Sequence, residues 1–220
     1  MIKFENTHIS GFEVAIRGMR NPFNSWDKSD SGYVIVPLDD ETMINDGDEE
    51  FVVGSNDLDL MRKLIKSGSD HAKFLRMINV TVDITAPLYW LKEFDTYKVG
   101  TVANSCSTMH TIHKKEFELE DFSTDHLSDH SIVALEKVID TMNDYRDRYL
   151  TSKNKNYWWQ LIQLLPASFN QRRTVQLNYQ TLFNIYKSRK GHKLDEWNKF
   201  RDWEEDLFMF YEMFCEGDEA

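Results

Sequence analysis

A few histidines are spaced as metal ligands often are. His110 and His113 lie three residues apart, and His126 and His130 lie four apart with aspartates beside them. Residues three or four apart share one face of a helix, so each pair could supply two ligands to a metal ion. Helix capping by the neighbouring Asp and Ser residues explains the second pair equally well, and we therefore predict no metal site.

Nucleophilic catalysis has one candidate, Cys106, which lies between two serines in a polar segment. A cysteine nucleophile needs a base beside it, and the sequence assigns none, so an ordinary loop cysteine is the favoured interpretation. The sequence contains no GxGxxG or phosphate-loop motif, no CxxC pair, and no HExxH or GxSxG motif. The catalytic residues are therefore unknown at this level.

Two basic segments suggest an anion site. One covers residues 69–76 and contains His71, and the other joins Arg172 and Arg173 to the cations of residues 187–193. In a chain of net charge −11, such clusters suggest a site for phosphate or carboxylate, which Arg binds through paired hydrogen bonds. The cations of residues 187–193 would complement the dipole of a helix C-terminus equally well, so both interpretations stay open.

The elements that must position these residues are mostly helices. Apolar spacing predicts helices over residues 58–65 (capped by Asn56 or Asp57), 88–94, 131–149, 157–165, 175–188 and 194–214. Alternation predicts strands over residues 33–36 and 77–84, while residues 12–16 fit a strand or a helix start. Residues 96–113 are predicted to be a loop at a site, and the acidic residues 39–50 a solvated loop or helix tip. We predict a helix-majority α+β fold, one domain over residues 1–220, with a small antiparallel or mixed sheet.

Composition limits the function. The chain has 37 acidic and 26 basic residues, so a broad surface for duplex DNA or anionic lipid is not expected. Its two cysteines, Cys106 and Cys215, are far apart in sequence, which favours a reducing compartment. The first residues lack a secretory leader pattern, and no apolar run approaches the roughly 20 residues that span a bilayer. We expect a cytoplasmic protein that binds neither nucleic acid nor membrane.

Residues 165–189 carry a longer pattern. It consists of Leu165-Pro166, Arg172 six residues after the proline, and then Asn178, Thr181, Leu182, Asn184 and Arg189. In these types and at this spacing, the pattern resembles the C-terminal half of the flavin-dependent thymidylate synthases (ThyX). Upstream, residues 80–88 resemble the strand and Ala-Pro turn of that family, and residues 64–71 resemble its helix end and His-containing loop. The resemblance covers about residues 60–201, whereas residues 1–55 are divergent.

The sequence departs from the family in one signature. The family has Arg-His-Arg, then Ser-x-Asn-Glu-x-Ser-x-Arg-Tyr, where its members contact flavin and nucleotide. The corresponding positions here are Thr96-Tyr97-Lys98, then Thr101, Ala103, Asn104, Cys106, Thr108 and Met109. Only Lys98 keeps a cation, and only Thr101 keeps a hydroxyl. Each charged hydrogen bond lost with an arginine removes about 1.5–3 kcal/mol of binding free energy.

The resemblance implies an enzyme that methylates dUMP, or a related pyrimidine nucleotide, at C5. It implies methylenetetrahydrofolate and NADPH as co-substrates and an FAD held between the subunits of a homotetramer. It implies cofactor contacts from His71, Tyr97, Lys98, Asn178 and Asn184, and nucleotide contacts from Asn104, Cys106, Arg172 and Arg189.

Two other functions remain open from the sequence. A non-catalytic descendant of the same fold would bind a nucleotide or a protein partner, and a generic helix-rich interaction domain would owe its C-terminal pattern to coincidence. Residues 17–28 mix Arg, Asn, Trp and Lys and have no family counterpart. They are predicted to be either a substrate loop or a capping loop that packs Trp26 on the core.

Overall fold

The computed structural model describes residues 2–37 and 47–216. The α-helices of this part of the chain are α1 (Phe12–Arg20), α2 (Ser55–Lys66), α3 (Leu88–Phe94), α4 (Thr108–Thr111), α5 (Asp129–Ser152), α6 (Lys155–Leu164), α7 (Tyr179–Ser188), α8 (Asp195–Glu205) and α9 (Phe210–Phe214). The strands are β1 (Lys3–Ser10), β2 (Gly32–Pro37), β3 (Gly47–Val52), β4 (Asn79–Pro87), β5 (Val102–Ser105) and β6 (Asn170–Asn178). The predicted helix-majority α+β fold is confirmed.

The strands form two small sheets. One has the order β1-β4-β6-β5, and within it β5 and β6 are antiparallel. The other is an antiparallel hairpin of β2 and β3. The alternation that predicts a strand over residues 77–84 is confirmed in β4, where Val80, Val82 and Ile84 are fully buried. Each such side chain contributes about 1.5–3 kcal/mol by leaving water.

The chain folds into two compact units, each assembled from three separate segments of sequence. Unit 1 comprises Met1–Thr7, Thr81–Gln176 and Gly191–Phe200, and unit 2 comprises His8–Val80, Leu177–Lys190 and Arg201–Ala220. The strands β1, β4 and β6 and the helix α8 each supply residues to both units.

The core of unit 1 contains an aromatic cluster between α3 and the first residues of α8. The Trp90 ring lies 5.1 Å from Phe94 and 4.7 Å from Trp197, with Phe200 at 5.7 Å (ring centroids). All four side chains are essentially excluded from water. A second apolar cluster of unit 1 is formed by Ile112, Phe117, Phe122, Leu135, Ile139, Met142 and Leu161. It fixes α5 and α6, which confirms the helices predicted over residues 131–149 and 157–165.

The core of unit 2 is also aromatic. Tyr179, the first residue of α7, packs edge-on against Phe12 of α1 at 5.4 Å and against Phe210 of α9 at 5.7 Å. Its hydroxyl donates to the carbonyl of Phe208 at 2.5 Å. Burial raises the pKa of Tyr179, so this hydroxyl keeps its proton and its hydrogen bond across the physiological range.

A buried ion pair fixes the segment that follows α1. Arg20 Nε donates to Asp57 Oδ1 at 2.6 Å, and the side chains of both residues are buried. The other oxygen of Asp57 accepts from the hydroxyls of Ser29 and Ser31, at 2.7 Å each. Burial alone would raise the pKa of Asp57, but these hydrogen bonds outweigh it and hold the pKa below its usual value. Asp57 therefore stays charged at neutral pH.

The capping residue predicted for α2 is wrong. Asn56 and Asp57 lie inside the helix, whose N-cap is Gly54. The carboxylate of Asp30 accepts the backbone N–H of Asn56 at 2.9 Å and that of Asp57 at 3.1 Å. The carboxylate of the distant Asp30 therefore accepts two backbone N–H groups of the first helical turn, which leaves the Asp57 side chain available to pair with Arg20.

The helix predicted over residues 175–188 is wrong in its first part. Residues 175–178 belong to β6, where Val175 and Leu177 are buried and Ala103 of β5 pairs with Val175. The helix begins only at Tyr179, after Asn178 accepts the backbone N–H of Thr181 at 3.0 Å. Pairing between distant strands overrides a local pattern that fits a helix.

Three further predictions are corrected. The helix expected over residues 194–214 is two helices, α8 and α9, because the backbone at Met209 takes a left-handed conformation (φ 60°). The loop expected over residues 96–113 contains β5 and α4. Residues 47–50 of the expected acidic loop belong to β3, and residues 38–46 lie outside the described residues. No helix of the described residues is long and apolar enough to cross a membrane.

Candidate functional site

The arginine predicted to bind nucleotide, Arg172, lies on β6 beside two carboxylates. Its Nη2 donates to Asp83 Oδ2 on β4 at 2.7 Å, and its Nη1 lies 3.5 Å from Glu5 Oε2 on β1. Asp83 also accepts from the hydroxyl of Thr174 at 2.6 Å and from the amide of Asn6 at 2.9 Å. These hydrogen bonds, that of Thr174 first and that of Arg172 second, hold the pKa of Asp83 well below its usual range. The guanidinium thus pairs with a carboxylate that is charged at neutral pH, while 45% of the Arg172 side chain stays exposed.

Backbone hydrogen bonds hold Cys106 beside Arg172. The N–H of Cys106 donates to the carbonyl of Arg172 at 2.9 Å, just beyond the point where β5 and β6 pair. The carbonyl of Cys106 accepts from the side-chain amide of the largely buried Gln171 at 2.8 Å. Gln171 in turn accepts from Arg173 at 3.0 Å. The structure therefore brings together two residues predicted to bind nucleotide, and the thiol of Cys106 is free and exposed.

A cavity of about 250 Å³ opens next to this pair, and it lies wholly in unit 1. Its lining includes Cys106, Thr111, Lys115, Phe117, Gln171 and Arg172. Lys115 Nζ lies 3.1 Å from both Asp121 and Glu118. Hydrogen bonds to Asp121 and to Glu118 raise the pKa of Lys115, so it remains a cation at neutral pH. Glu116 and Asp121 also line the cavity, so two cations and two carboxylates surround it together with an amide and a thiol. The cations suit the anionic end of a small ligand, which would replace their carboxylate partners.

The sequence analysis missed Lys115. The available signal was the pair Lys114-Lys115 directly after the polar segment of residues 96–113. The sequence does not show which of the two lysines faces the site, and in the structure only Lys115 lines the cavity.

Three other predicted residues lie in unit 1. Asn104 is on β5, opposite Thr174 of β6, and is exposed. Tyr97 follows α3, and its ring meets Trp197 edge-on at 6.0 Å. Lys98 is exposed and forms no ion pair within residues 2–37 and 47–216. These residues occupy the segment from α3 to β5, at the edge of the main sheet.

The remaining four predicted residues lie in unit 2. His71 is exposed in a turn, where its N–H donates to the carbonyl of Gly68 at 3.0 Å. Asn178 caps α7 through its Oδ1, and Asn184 is exposed and accepts from the Gln180 amide at 3.2 Å. Arg189 is half-buried at the C-terminal end of α7. Asn178 thus has a structural role, whatever else its amide contacts.

The histidine pairs do not form a metal centre in the described ranges, which hold no group of three or more His, Cys, Asp or Glu residues suited to a metal ion. His126 Nε2 instead lies 2.9 Å from Asp195 Oδ2, and both side chains are exposed. An exposed pair of this kind contributes little to stability.

Comparison with known proteins identifies the fold. No family model and no curated protein sequence matches the chain. A structure of Helicobacter pylori thymidylate synthase X with FAD and dUMP is similar over 98% of this chain and 97% of its own, with a TM-score of 0.68 and 15% identity. A second Helicobacter pylori ThyX structure with FAD and dUMP covers 97% of both chains, with a TM-score of 0.63 and 17% identity.

A UMP/dUMP methylase, PolB from Streptomyces cacaoi bound to 5-Br UMP, is also similar. It matches 84% of this chain and 74% of its own, with a TM-score of 0.50 and 12% identity. At these identities the likeness concerns the fold, and it extends beyond residues 60–201 to nearly the whole chain. The protein therefore has the fold of the flavin-dependent thymidylate synthase ThyX, as the sequence resemblance predicts.

Proposed function

We propose that this protein is a flavin-dependent pyrimidine nucleotide methyltransferase of the thymidylate synthase type, acting in the cytoplasm. The observation that carries the proposal is the cavity beside Cys106 and Arg172 in a chain with the ThyX fold. Cys106 and Arg172, which the sequence resemblance assigns to the nucleotide, meet at a cavity whose lining also contains Lys115. The reaction would transfer a one-carbon unit from methylenetetrahydrofolate to C5 of the nucleotide.

The residues of unit 1 fit a flavin in part. Lys98 is a cation without an ion pair in the described residues, and three residues later the hydroxyl oxygen of Thr101 is buried without a hydrogen-bond partner there. A buried hydroxyl without a partner is unfavourable, and a bound phosphate or ring oxygen would satisfy it. Lys98, Thr101 and Tyr97 would hold the cofactor in this unit. His71, Asn178 and Asn184, which the resemblance also assigns to the cofactor, lie in unit 2. When bound, the flavin would supply the hydride that completes the methyl group, with NADPH as the reductant that restores it.

The residues around the cavity would bind and orient the nucleotide. Arg172 and Lys115 would pair with its phosphate, and the exposed Asn104 would bond a base or ribose edge. Arg189, which the resemblance also assigns to the nucleotide, lies in unit 2 and does not line this cavity. The thiol of Cys106 would contact the nucleotide without becoming a nucleophile, since none of the observed hydrogen bonds gives it a base.

The choice between dUMP and UMP is part of the proposal. One protein of similar fold is described in complex with dUMP, and another is described as a UMP/dUMP methylase. The fold therefore accommodates nucleotides with a deoxyribose and with a ribose. We propose dUMP as the substrate and test it against UMP.

The first experiment measures flavin retention and methyl transfer. The purified protein is incubated with FAD, desalted and scanned for flavin absorbance, and then assayed for tritium release from [5-³H]dUMP or [5-³H]UMP with methylenetetrahydrofolate and NADPH. Retained flavin together with tritium release from one nucleotide is the expected result. Retained flavin without release from either nucleotide would overturn the proposed reaction.

The second experiment tests the nucleotide site. Arg172→Gln should weaken dUMP binding about tenfold or more, because a charged hydrogen bond contributes about 1.5–3 kcal/mol. Arg148→Gln is the matched control, since Arg148 is about as exposed and pairs with one carboxylate, Asp144, at 2.9 Å on α5. Equal affinities of the two variants would contradict the assignment of Arg172.

A non-catalytic scaffold that binds a nucleotide or a protein is the second candidate. The observation that favours it is that Arg172 already pairs with Asp83 and lies near Glu5, while Lys98 is the one cation left at the Arg-His-Arg positions. A colourless protein that retains no added FAD but still binds dUMP would identify this function.

The proposal includes a homotetramer, because a cofactor held between subunits needs a partner subunit to complete its site. Light scattering on the eluting protein measures the mass directly. A monomer of 26.1 kDa that binds no flavin would contradict both the assembly and the cofactor.

A further inference from the structure

Unit 1 has a locally basic surface where α5 ends and α6 begins. Residues 145–159 contain four cations, one carboxylate and five aromatic residues, in a chain whose net charge is −11. The expectation that the protein binds no nucleic acid follows from the charge of the whole chain, and this segment is a local exception to it. We call the following residues the α5–α6 surface: His113, Lys114, Arg146, Tyr149, Lys153, Lys155 and Trp159.

Three cations of this surface lie around one imidazole. His113 packs edge-on against Tyr149 of α5 with ring centroids 5.0 Å apart, and Lys153 Nζ lies 5.8 Å from the centre of the same Tyr149 ring. Burial lowers the pKa of His113 first, and the charges of three nearby cations lower it further. These cations are Lys153, Lys114 and Arg146. Like charges held this close repel one another, so a bound anion would be favourable here.

The lysines of the surface have no carboxylate partner. Lys114, Lys153 and Lys155 are exposed, and none of them forms an ion pair within the part of the chain that the structure describes. The one carboxylate of residues 145–159, Asp147, lies 2.7 Å from Arg146 Nη1 and pairs with that side chain. The three ammonium groups are therefore available to phosphates of a ligand.

An exposed ring lies beside these cations. Trp159 of α6 is 41% exposed, and Lys155 Nζ lies 5.8 Å from the centre of its ring. The ring of Trp158 supports it edge-on at 4.9 Å, and Trp158 Nε1 donates to the carbonyl of Met109 at 3.3 Å, four residues before His113. The ring and the cations thus belong to one surface. An exposed indole held by a second ring offers a face on which a planar base can stack.

We propose that the α5–α6 surface binds single-stranded nucleic acid. Phosphates would pair with Lys114, Lys153 and Lys155, and an unpaired base would stack on Trp159. The bases of a duplex stack on one another and offer this ring no free face, so the single strand is the partner that uses both the cations and the ring. The inference does not depend on the proposed function, because the α5–α6 surface contains no residue assigned there to flavin or pyrimidine nucleotide.

Fluorescence anisotropy tests the binding directly. The probes are fluorescein-labelled oligothymidylate and oligouridylate of about 20 nucleotides, longer than the roughly 4–16 nucleotides of a typical single-strand site, and a duplex of equal length is the control. At about 50 mM KCl we expect a dissociation constant below about 100 µM for at least one single strand, with the duplex bound at least about tenfold more weakly. The logarithm of the affinity should fall with the logarithm of the salt concentration at a slope of about −2, since three lysines each release about 0.7 counterion.

A lysine pair tests the electrostatic part. The double variant Lys153→Gln/Lys155→Gln should weaken binding at least about tenfold and reduce the salt slope by about 1.4. Lys63→Gln/Lys66→Gln is the matched control, because it removes two exposed lysines of α2 and changes the net charge equally. It should leave both quantities unchanged.

Trp159 tests the stacking part. Trp159→Ala should weaken binding about tenfold, whereas Trp159→Phe, which keeps a ring, should retain most of the affinity. Trp26→Ala is the matched control, since Trp26 of unit 2 is 51% exposed and its Nε1 donates to Asn21 at 2.8 Å. This exposure also shows that the capping role predicted for Trp26 is wrong, because the ring does not pack into the core.

Several results would overturn the proposal. They are the absence of saturable binding of both single strands up to about 100 µM protein, a duplex bound as tightly as the single strands, equal affinities of the two lysine pairs, and displacement of the strand by excess dUMP. Binding to phosphatidylserine vesicles but to neither single strand would also overturn it and assign the surface to lipid. Lys153→Gln/Lys155→Gln should retain flavin and release tritium like the wild type, so this proposal and the proposed function fail separately.

Discussion

A buried carboxylic acid in unit 2 gives the sharpest prediction about stability. Glu204 of α8 is fully excluded from water, and both of its carboxyl oxygens lack a hydrogen-bond partner among the described residues. Burial raises the pKa of Glu204 well above its usual 4.5, more than the nearby Arg201 lowers it. The Arg201 guanidinium lies 4.2 Å over the Tyr186 ring and forms no ion pair with Glu204. The folded protein therefore binds the proton of Glu204 more tightly than the unfolded chain does.

The replacement Glu204→Gln removes this titration and keeps the volume. Because the folded state binds the Glu204 proton more tightly than the unfolded chain, the wild-type free energy of unfolding falls as pH rises above 4.5. The slope approaches about 1.36 kcal/mol per pH unit until the pH reaches the pKa of the folded state. Between pH 4.5 and the pKa of the folded state, the variant should therefore gain up to about 1.36 kcal/mol per pH unit relative to the wild type. This gain is separate from any constant cost of burying the amide, about 1–3 kcal/mol.

Urea denaturation at a series of pH values measures this difference. Asp202→Asn, which removes an exposed carboxylate of the same helix, is the matched control. A gain of about 1.36 kcal/mol corresponds to roughly 3–5 °C in melting temperature for a chain of this size. A difference between Glu204→Gln and the wild type that stays constant from pH 5 to pH 6.5 would refute the reasoning, because Glu204 would then be charged when folded.

Three further changes test other parts of the structure. Asp57→Ala should lower the free energy of unfolding by about 3–5 kcal/mol, because it leaves Arg20 charged and unpaired in the interior. A loss below about 1 kcal/mol, measured by urea denaturation, would contradict this prediction. Gly11→Ala should lower the free energy of unfolding by at least about 2 kcal/mol, because its Cβ would lie 2.2 Å from the backbone oxygen of Met77 at φ +97°. Gly68→Ala, at φ +100° but in open space, should lower it by about 1 kcal/mol, and thermal unfolding of both variants measures the difference. Asp83→Asn should tighten dUMP binding several-fold in titration calorimetry, because it frees the neighbouring arginine from a competing charge, and weaker binding would assign the carboxylate an orienting role instead.

Elements with local signals are predictable from this sequence. The apolar periodicity of α5 and the alternation of β4 are both read correctly, because each buries one face of a regular element. The strand β6 is not, because Val175 and Leu177 fit a helix locally and become a strand only in the sheet, where β6 lies between β4 and β5. The cap of α2 fails for the same reason, since Asp30 reaches it from 26 residues away.

The candidate site is predictable only where the family pattern supplies it. Cys106 and Arg172 come from motifs far apart in the chain, and the fold brings them to one cavity. No sequence rule indicates that Arg172 pairs with Asp83, because β4 and β6 become neighbours only in the finished sheet. The place of Lys115 at the cavity likewise depends on three-dimensional packing, and no motif indicates it.

The division into two interleaved units constrains how the protein can be made. The aromatic core of unit 1 joins Trp90 and Phe94 to Trp197 and Phe200, which are synthesised more than 100 residues later. Unit 2 in turn needs Phe210 and Phe214 from α9. Neither unit can complete its core before these residues have left the ribosome. No contiguous segment of the chain contains a whole unit without residues of the other, and a nonsense mutation before the codon for Trp197 would leave both cores unfinished.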